Sequence, residues 1–163
     1  MNSKISPATK AIGLIVSIAI CFAFAGLGSA ATTPGLADWY ASLAKPTWNP
    51  PNWIFAPVWS TLFLMMAVAA WLVWCRSGLK GSRAAMLSFG VQLLLNVAWS
   101  FLFFWLQSPS MALVEIAILW LAIAVTIRLF FNHSKIAAWL MAPYLCWVSF
   151  AAFLNFTIWS LNR

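Results

Sequence analysis

The residues of this chain best suited to chemistry are tryptophans, amides and prolines rather than acids, bases or nucleophiles. Gln92 and Asn96 lie four apart and Trp99 follows one turn later, so a helix would set all three on one stripe. Amides in an apolar medium are costly unless partnered. The stripe therefore either bonds helix to helix or faces a cavity and reads a polar group of a ligand. Asn155 admits the same two readings, with helix bonding preferred. Lys45-Pro46-Thr47-Trp48-Asn49-Pro50-Pro51 cannot be helical, and its prolines fix the backbone around one large indole. That segment reads as a stiff lid, or else as a plain connector with an interfacial anchor.

Ordinary catalysis has little to work with. His133 is the one histidine and lies among basic residues. Glu115 falls one turn into an apolar run, where an acid is a functional candidate but is also close enough to an interface to reach water. Cys21, Cys75 and Cys146 are odd in number and form no C-x-x-C or Cys/His cluster. With no carboxylate pair, no Ser/His/Asp set and no phosphate loop, hydrolysis, phosphoryl transfer and metal catalysis are not expected. The expectation is no metal site and no required cofactor.

The elements that position these residues follow from composition. Of 163 residues, 64% are hydrophobic and 7% charged, against about 25% charged in a soluble domain. This excludes a water-soluble globule, and high hydrophobicity excludes disorder. Apolar runs cover about 11–31, 53–74, 84–106, 111–131 and 136–161, each able to cross a core of about 30 Å. Runs of that length without strict alternation exclude an outer-membrane barrel. The fold expected is an all-α integral membrane protein, a single five-transmembrane-helix bundle, with a lid loop over about 32–52. Pro57 and Pro143 sit inside the second and fifth spans, where a proline bends its helix. The first run has a rival reading as a secretory signal ending at Gly28-Ser29-Ala30, although it is longer than a signal's usual apolar region.

Charge sets the orientation. Two acids, Asp38 and Glu115, stand against nine Lys and Arg. These bases sit between apolar runs and make no stripe for a phosphate backbone, so nucleic acid is not expected as a partner. Lys4, Lys10, Arg76, Lys80, Arg83, Arg128 and Lys135 fall on one side of the membrane, Lys45 and Arg163 on the other. The basic side is expected to be cytoplasmic, N-terminus included. Of the twelve tryptophans, eight lie near span ends, as an aromatic belt requires. Trp99, Trp120 and Trp147 lie deep inside spans and Trp59 two turns in, where they either pack helices or line a site.

Lys45-Pro-x-Trp48-x-Pro50-Pro51, Trp59 with Leu62-Phe63, Gln92-Leu-x-x-Asn96-x-x-Trp99-Ser100, and Pro143-Tyr144-x-x-Trp147 through Leu154-Asn155 resemble the tryptophan-rich sensory protein / translocator protein family. This family is also known as the peripheral benzodiazepine receptors, and the resemblance runs over about residues 11–161. It implies a five-helix bundle with a ligand crevice beneath the first loop. The expected ligands are porphyrins, notably protoporphyrin IX, together with sterols and isoquinoline or benzodiazepine-like compounds. Matching positions put Tyr40, Trp48, Pro50 and Pro51 in the lid and Trp59, Phe63, Asn96, Trp99, Ala142 and Trp147 in the crevice, beside Gln92 from the amide stripe. Bacterial members are associated with light-dependent porphyrin degradation, for which Trp59 and Trp147 would be the participating residues, and porphyrin is then substrate rather than ligand. Transport of a tetrapyrrole or sterol is a further alternative, with no inverted repeat to favour it. The resemblance also implies a homodimer through the third helix, where Ala84, Ser88 and Gly90 are small. The sterol motif of animal members is weak here, because Phe156 stands where they have tyrosine. A bacterial cell membrane is the expected location, and Lys45 is expected to draw a ligand's carboxylates by charge.

Overall fold

The computed structural model describes residues 6–163, so Lys4 of the orientation argument lies outside the described residues. Helix α1 spans Pro7–Leu36; Ser6 caps it by accepting the Thr9 amide at 3.1 Å, and Pro7 occupies a first-turn position that needs no donor. A short helix α2, Trp39–Ser42, and a 3-10 turn, Asn52–Ile54, lie in the first loop. Helices α3 (Phe55–Gly81), α4 (Arg83–Ser100), α5 (Pro109–Phe131) and α6 (Lys135–Leu161) follow, and a π-helical turn at Phe101–Trp105 continues α4. Five helical stretches are long and apolar enough to cross a membrane, and no strand occurs among the described residues. The chain is an all-α integral membrane protein.

Several boundaries differ from the hydropathy runs. Helix α1 continues to Leu36, so the first loop starts four to five residues later than expected, and Pro34 is taken into the last turn. The second span runs on to Gly81, with one break at Gly78, whose φ of +62° suits a residue without a Cβ. Pro57 is the third residue of α3, where the amide has no intrahelical partner to lose, so it does not bend the span. Pro143 does lie inside α6 and leaves the Trp139 carbonyl without its helical donor.

Around the bundle the order is α1, α3, α6, α5, α4, with α4 closing back on α1. The N-terminal end of α1 shares one end of the bundle with the α3–α4 and α5–α6 turns. There the His133 Nδ1 lies 2.8 Å from Ser77 Oγ, tying α3 to the α5–α6 turn. This is the basic end; the opposite end carries the first loop. The main core runs from the basic end to mid-membrane and is rich in small residues: Ala67, Ala69, Ala70, Ala85, Ala137 and Ala138 are buried there. A second, smaller core around Tyr40, Phe103, Ala112, Leu154 and Ile158 lies under the loop.

Helix α1 changes neighbours along its length. Near the basic end it packs on α3: Gly13 lies against the Trp74 ring, Ser17 Oγ donates to the Ala67 carbonyl at 2.8 Å, and Trp71 Nε1 donates to the Lys10 carbonyl at 2.8 Å. Toward the loop it leans instead on α4. Gly28 faces Ser100, and Gly35 comes so close to the Phe104 carbonyl that any Cβ there would collide with it. Helices α1 and α3 therefore diverge toward the loop.

Candidate functional site

The divergence of α1 from α3 leaves a cavity of about 550 Å³ beneath the first loop, between α1, α3, α6 and the α4–π segment. Aromatic rings hold its walls apart. Trp59 sits edge-on to Tyr144 at 6.1 Å and tilted on Phe63 at 5.8 Å. Trp99 stacks on Phe103 at 5.2 Å, and Trp147 meets Phe55 edge-on at 5.9 Å and Phe150 at 5.5 Å. Such offset and edge arrangements suit the ring quadrupoles and fix three indoles facing one space.

Two buried amides, Asn96 and Asn155, give the inner wall its polar points, and Asn52 of the loop and several Ser and Thr hydroxyls line it as well. Asn96 is buried and donates Nδ2–H to the Tyr144 hydroxyl at 3.0 Å, linking α4 to α6. Asn155 accepts from Trp99 Nε1 at 3.2 Å and donates to the Pro109 carbonyl at 2.9 Å, so it bonds three helices. It also reaches the cavity wall, so helix bonding and wall lining coincide in one residue. No Lys, Arg, Asp or Glu lines the cavity.

Of the residues singled out in the sequence, Tyr40, Trp59, Phe63, Asn96, Trp99 and Trp147 line this cavity. Trp48, Pro50, Pro51, Gln92 and Ala142 do not. Gln92 is one turn nearer the basic end than Asn96, 0% exposed, with Nε2 at 3.9 Å from Met66 Sδ and Oε1 unpartnered among the described residues. It belongs to the solid part of the bundle because its neighbours there leave no space. Trp48 packs outward of the cavity, stacked on Phe153 at 5.2 Å and edge-on to Phe150 at 6.0 Å. Trp120 is spent elsewhere, donating to Ser149 Oγ at 2.9 Å between α5 and α6. Glu115 does not reach water as the sequence allowed: it is buried in the second turn of α5, and neither carboxylate oxygen has a partner among the described residues.

The lid is tied down at several points. Tyr40 donates its hydroxyl to Asn49 Oδ1 at 3.1 Å; burial raises the phenol's pKa above its usual value, the bond to Asn49 opposing, so it remains a donor at neutral pH. Asn162, just past α6, accepts from the Ala44 amide and donates to the Ala44 carbonyl, both at 2.9 Å. Lys45 does not reach for a ligand. Its ammonium donates to the Tyr40, Ala41 and Leu43 carbonyls at 2.6, 3.2 and 2.9 Å and lies 4.8 Å from the Tyr40 ring. The exposed tail of α2 explains this, since its carbonyls need donors.

Nothing in the hydropathy of α1 marks it as a wall of the site. Phe22, Gly28, Ser29 and Thr32 all line the cavity. The signal was present as Gly28 and Gly35, two turns apart on one face of the helix, but Gly28-Ser29-Ala30 also fits a cleavage site. Phe103 and Phe104 were missed because nothing in Phe101–Trp105 announces a π turn.

Residues 17–160 match the TspO/MBR family. The chain is 43% identical to the Tryptophan-rich protein TspO of Chlorobaculum tepidum over 99% of both chains. It is 38% identical to the Tryptophan-rich sensory protein of Cereibacter sphaeroides, over 85% of this chain and 87% of that one. The human Translocator protein is 39% identical over 77% of this chain and 75% of its own.

Proposed function

Because the chain belongs to the TspO/MBR family of membrane proteins, we propose that it binds a porphyrin-like tetrapyrrole in the cavity under its lid and senses or regulates the level of that ligand. The observation that carries this reading is three indoles, Trp59, Trp99 and Trp147, and two amides, Asn96 and Asn155, around one uncharged space of about 550 Å³. That volume falls within the roughly 300–1,000 Å³ of small-molecule sites, which are mostly apolar with a few placed polar groups. A porphyrin is flat and apolar at its centre, so indole faces and amide groups suit it. Sterols and isoquinoline or benzodiazepine-like compounds are the competing occupants. The relatives' names, sensory protein and translocator protein, fit a membrane sensor or carrier.

The same reading places the chain in a bacterial cell membrane with the basic end cytoplasmic. A homodimer through α4 would use its outward stripe of Leu87, Val91 and Leu94, all exposed. The small pair expected there is divided: Ala84 faces out, while Ser88 turns inward, its Oγ 2.8 Å from Thr126 Oγ1.

Titration of the purified protein in lipid nanodiscs with protoporphyrin IX, followed in the dark by tryptophan fluorescence, tests the reading. Saturable quenching at micromolar ligand or below is the expected result. Quenching no stronger than that of an unrelated membrane protein rejects a porphyrin site. A second reading, light-dependent porphyrin degradation, is favoured by Trp59 and Trp147 lining one cavity. Illumination of the saturated sample would then yield a new absorbing product that a Trp59→Phe/Trp147→Phe variant does not form. Equal bleaching by that variant leaves the sensor reading alone.

A further inference from the structure

We infer that the ligand reaches the cavity sideways from the bilayer, through the gap between α1 and α3, and that Gly26, Ser29 and Ser60 on the rims of this gap select what passes. The inference rests on the ligand reading above and adds a route and a class of ligand to it. Gly26, Ser29 and Thr33 on α1, and Ala56 and Ser60 on α3, both line the cavity and are exposed on the membrane-facing surface. The rest of the wall, apart from the exposed ring of Phe22 on α1, is made by buried or half-buried side chains and by the first loop. These five residues are small, and Phe22 of α1, 41% exposed, adds one ring at the end of the gap nearer the basic side, so most of the gap is bounded by backbone and short side chains.

The geometry of α1 holds the gap open. Gly13 against Trp74 holds α1 to α3 at the basic end, and Gly35 against Phe104 holds it to α4 at the lid end. Closing the gap would break the second contact. The lid, by contrast, is fastened by both Asn162 bonds, by Tyr40 to Asn49 and by Trp48 on Phe153. A path through it would break all of these.

The rim's chemistry suits lipid. Thr33 Oγ1 donates to the Ser29 carbonyl and Ser60 Oγ to the Ala56 carbonyl, both at 2.8 Å. These two donors are satisfied within their own helices and present no unpaired hydrogen to hydrocarbon, whereas the Ser29 hydroxyl has no such bond among the described residues and is the one free hydroxyl donor the rim offers to a passing ligand. The wall inside carries no charge, so an ionised group of the ligand cannot be paired there and must remain at the rim, near the headgroups. The ligand class this selects is a flat amphiphile already dissolved in the membrane, apolar in its body and ionised at one edge.

Stopped-flow quenching with protoporphyrin IX tests this on the wild-type protein in liposomes. At a fixed porphyrin-to-lipid ratio, the association rate should stay constant as total lipid is varied, since the mole fraction in the bilayer is then the effective concentration. A rate that follows the free aqueous concentration overturns the inference while leaving the cavity as the binding site. Ser29→Phe/Ser60→Phe should slow association and dissociation together, each by about tenfold, as a narrowed gate does, whereas an occupied site would speed dissociation. Faster association in Asn162→Ala, with the rim variant at the wild-type rate, would assign the route to the lid. Absence of any saturable quenching in the wild type overturns the ligand reading and this inference with it.

Discussion

The two ends of this bundle are built from the same helices and do opposite things. In the main core toward the basic end six of the twenty buried positions are alanine, and larger side chains such as Met66, Met141 and the stacked Phe89–Phe130 pair fill the room between them. Small residues let helices approach closely and gain dispersion contacts along their length, the main attraction available between helices in lipid. Under the lid the buried and half-buried positions are indoles and phenyl rings, which prop the helices apart and leave a cavity of about 550 Å³. The pairing of large side chains with small ones, more than polarity, separates the solid end from the hollow one.

That contrast can be broken most sharply by adding volume to the solid end. Ala67 is 0% exposed at the α1–α3 contact, and Ala67→Leu should destabilise the protein by about 1–3 kcal/mol through overpacking. Thermal melting in a fixed detergent measures this, and an unchanged midpoint would show that the basic end is as yielding as the lid end. Removing a ring from the hollow end should act on binding instead. Trp147→Ala is expected to weaken protoporphyrin IX affinity by about 1 kcal/mol, roughly fivefold, on the scale of one aromatic pair. Fluorescence titration reads that loss, and unchanged affinity removes Trp147 from the ligand's surroundings. The smallest effect belongs to the lid. Asn162→Ala deletes two solvent-exposed bonds to Ala44, together worth on the order of 0.5 kcal/mol because water replaces them. Hydrogen exchange should quicken at the Ala44 amide and stay as it was around Ala69 and Ala137; uniform quickening would mean that the two ends do not act independently.

The spans and the aromatic character of the site were legible in the sequence, because apolar length and indole count do not depend on neighbours. The amide stripe was legible only as a stripe. Gln92 and Asn96 are one turn apart on a shared face, yet the border between solid and hollow falls between them, with Met66 beside one and Tyr144 beside the other. That border is set by partners on α3 and α6, which no spacing within α4 can reveal. Lys45 was misjudged for a related reason: charge says that a lysine attracts anions, while the unpaired carbonyls of a four-residue helix bind it first. The contribution of α1 was hidden by its plain composition. Glycines and serines read as punctuation, until a neighbouring helix shows that they mark where two backbones meet or part.

The lid's fastenings also bear on the order in which the molecule is completed during synthesis. Its stacking platform, Phe153, and its double bond to the backbone, Asn162, lie on the last helix and in the residues just beyond it. The loop itself leaves the ribosome more than a hundred residues earlier. The roof over the cavity is thus finished only when the final helix has been inserted and docked, and a chain cut short before Asn162 would have its helices in place and its lid unlatched.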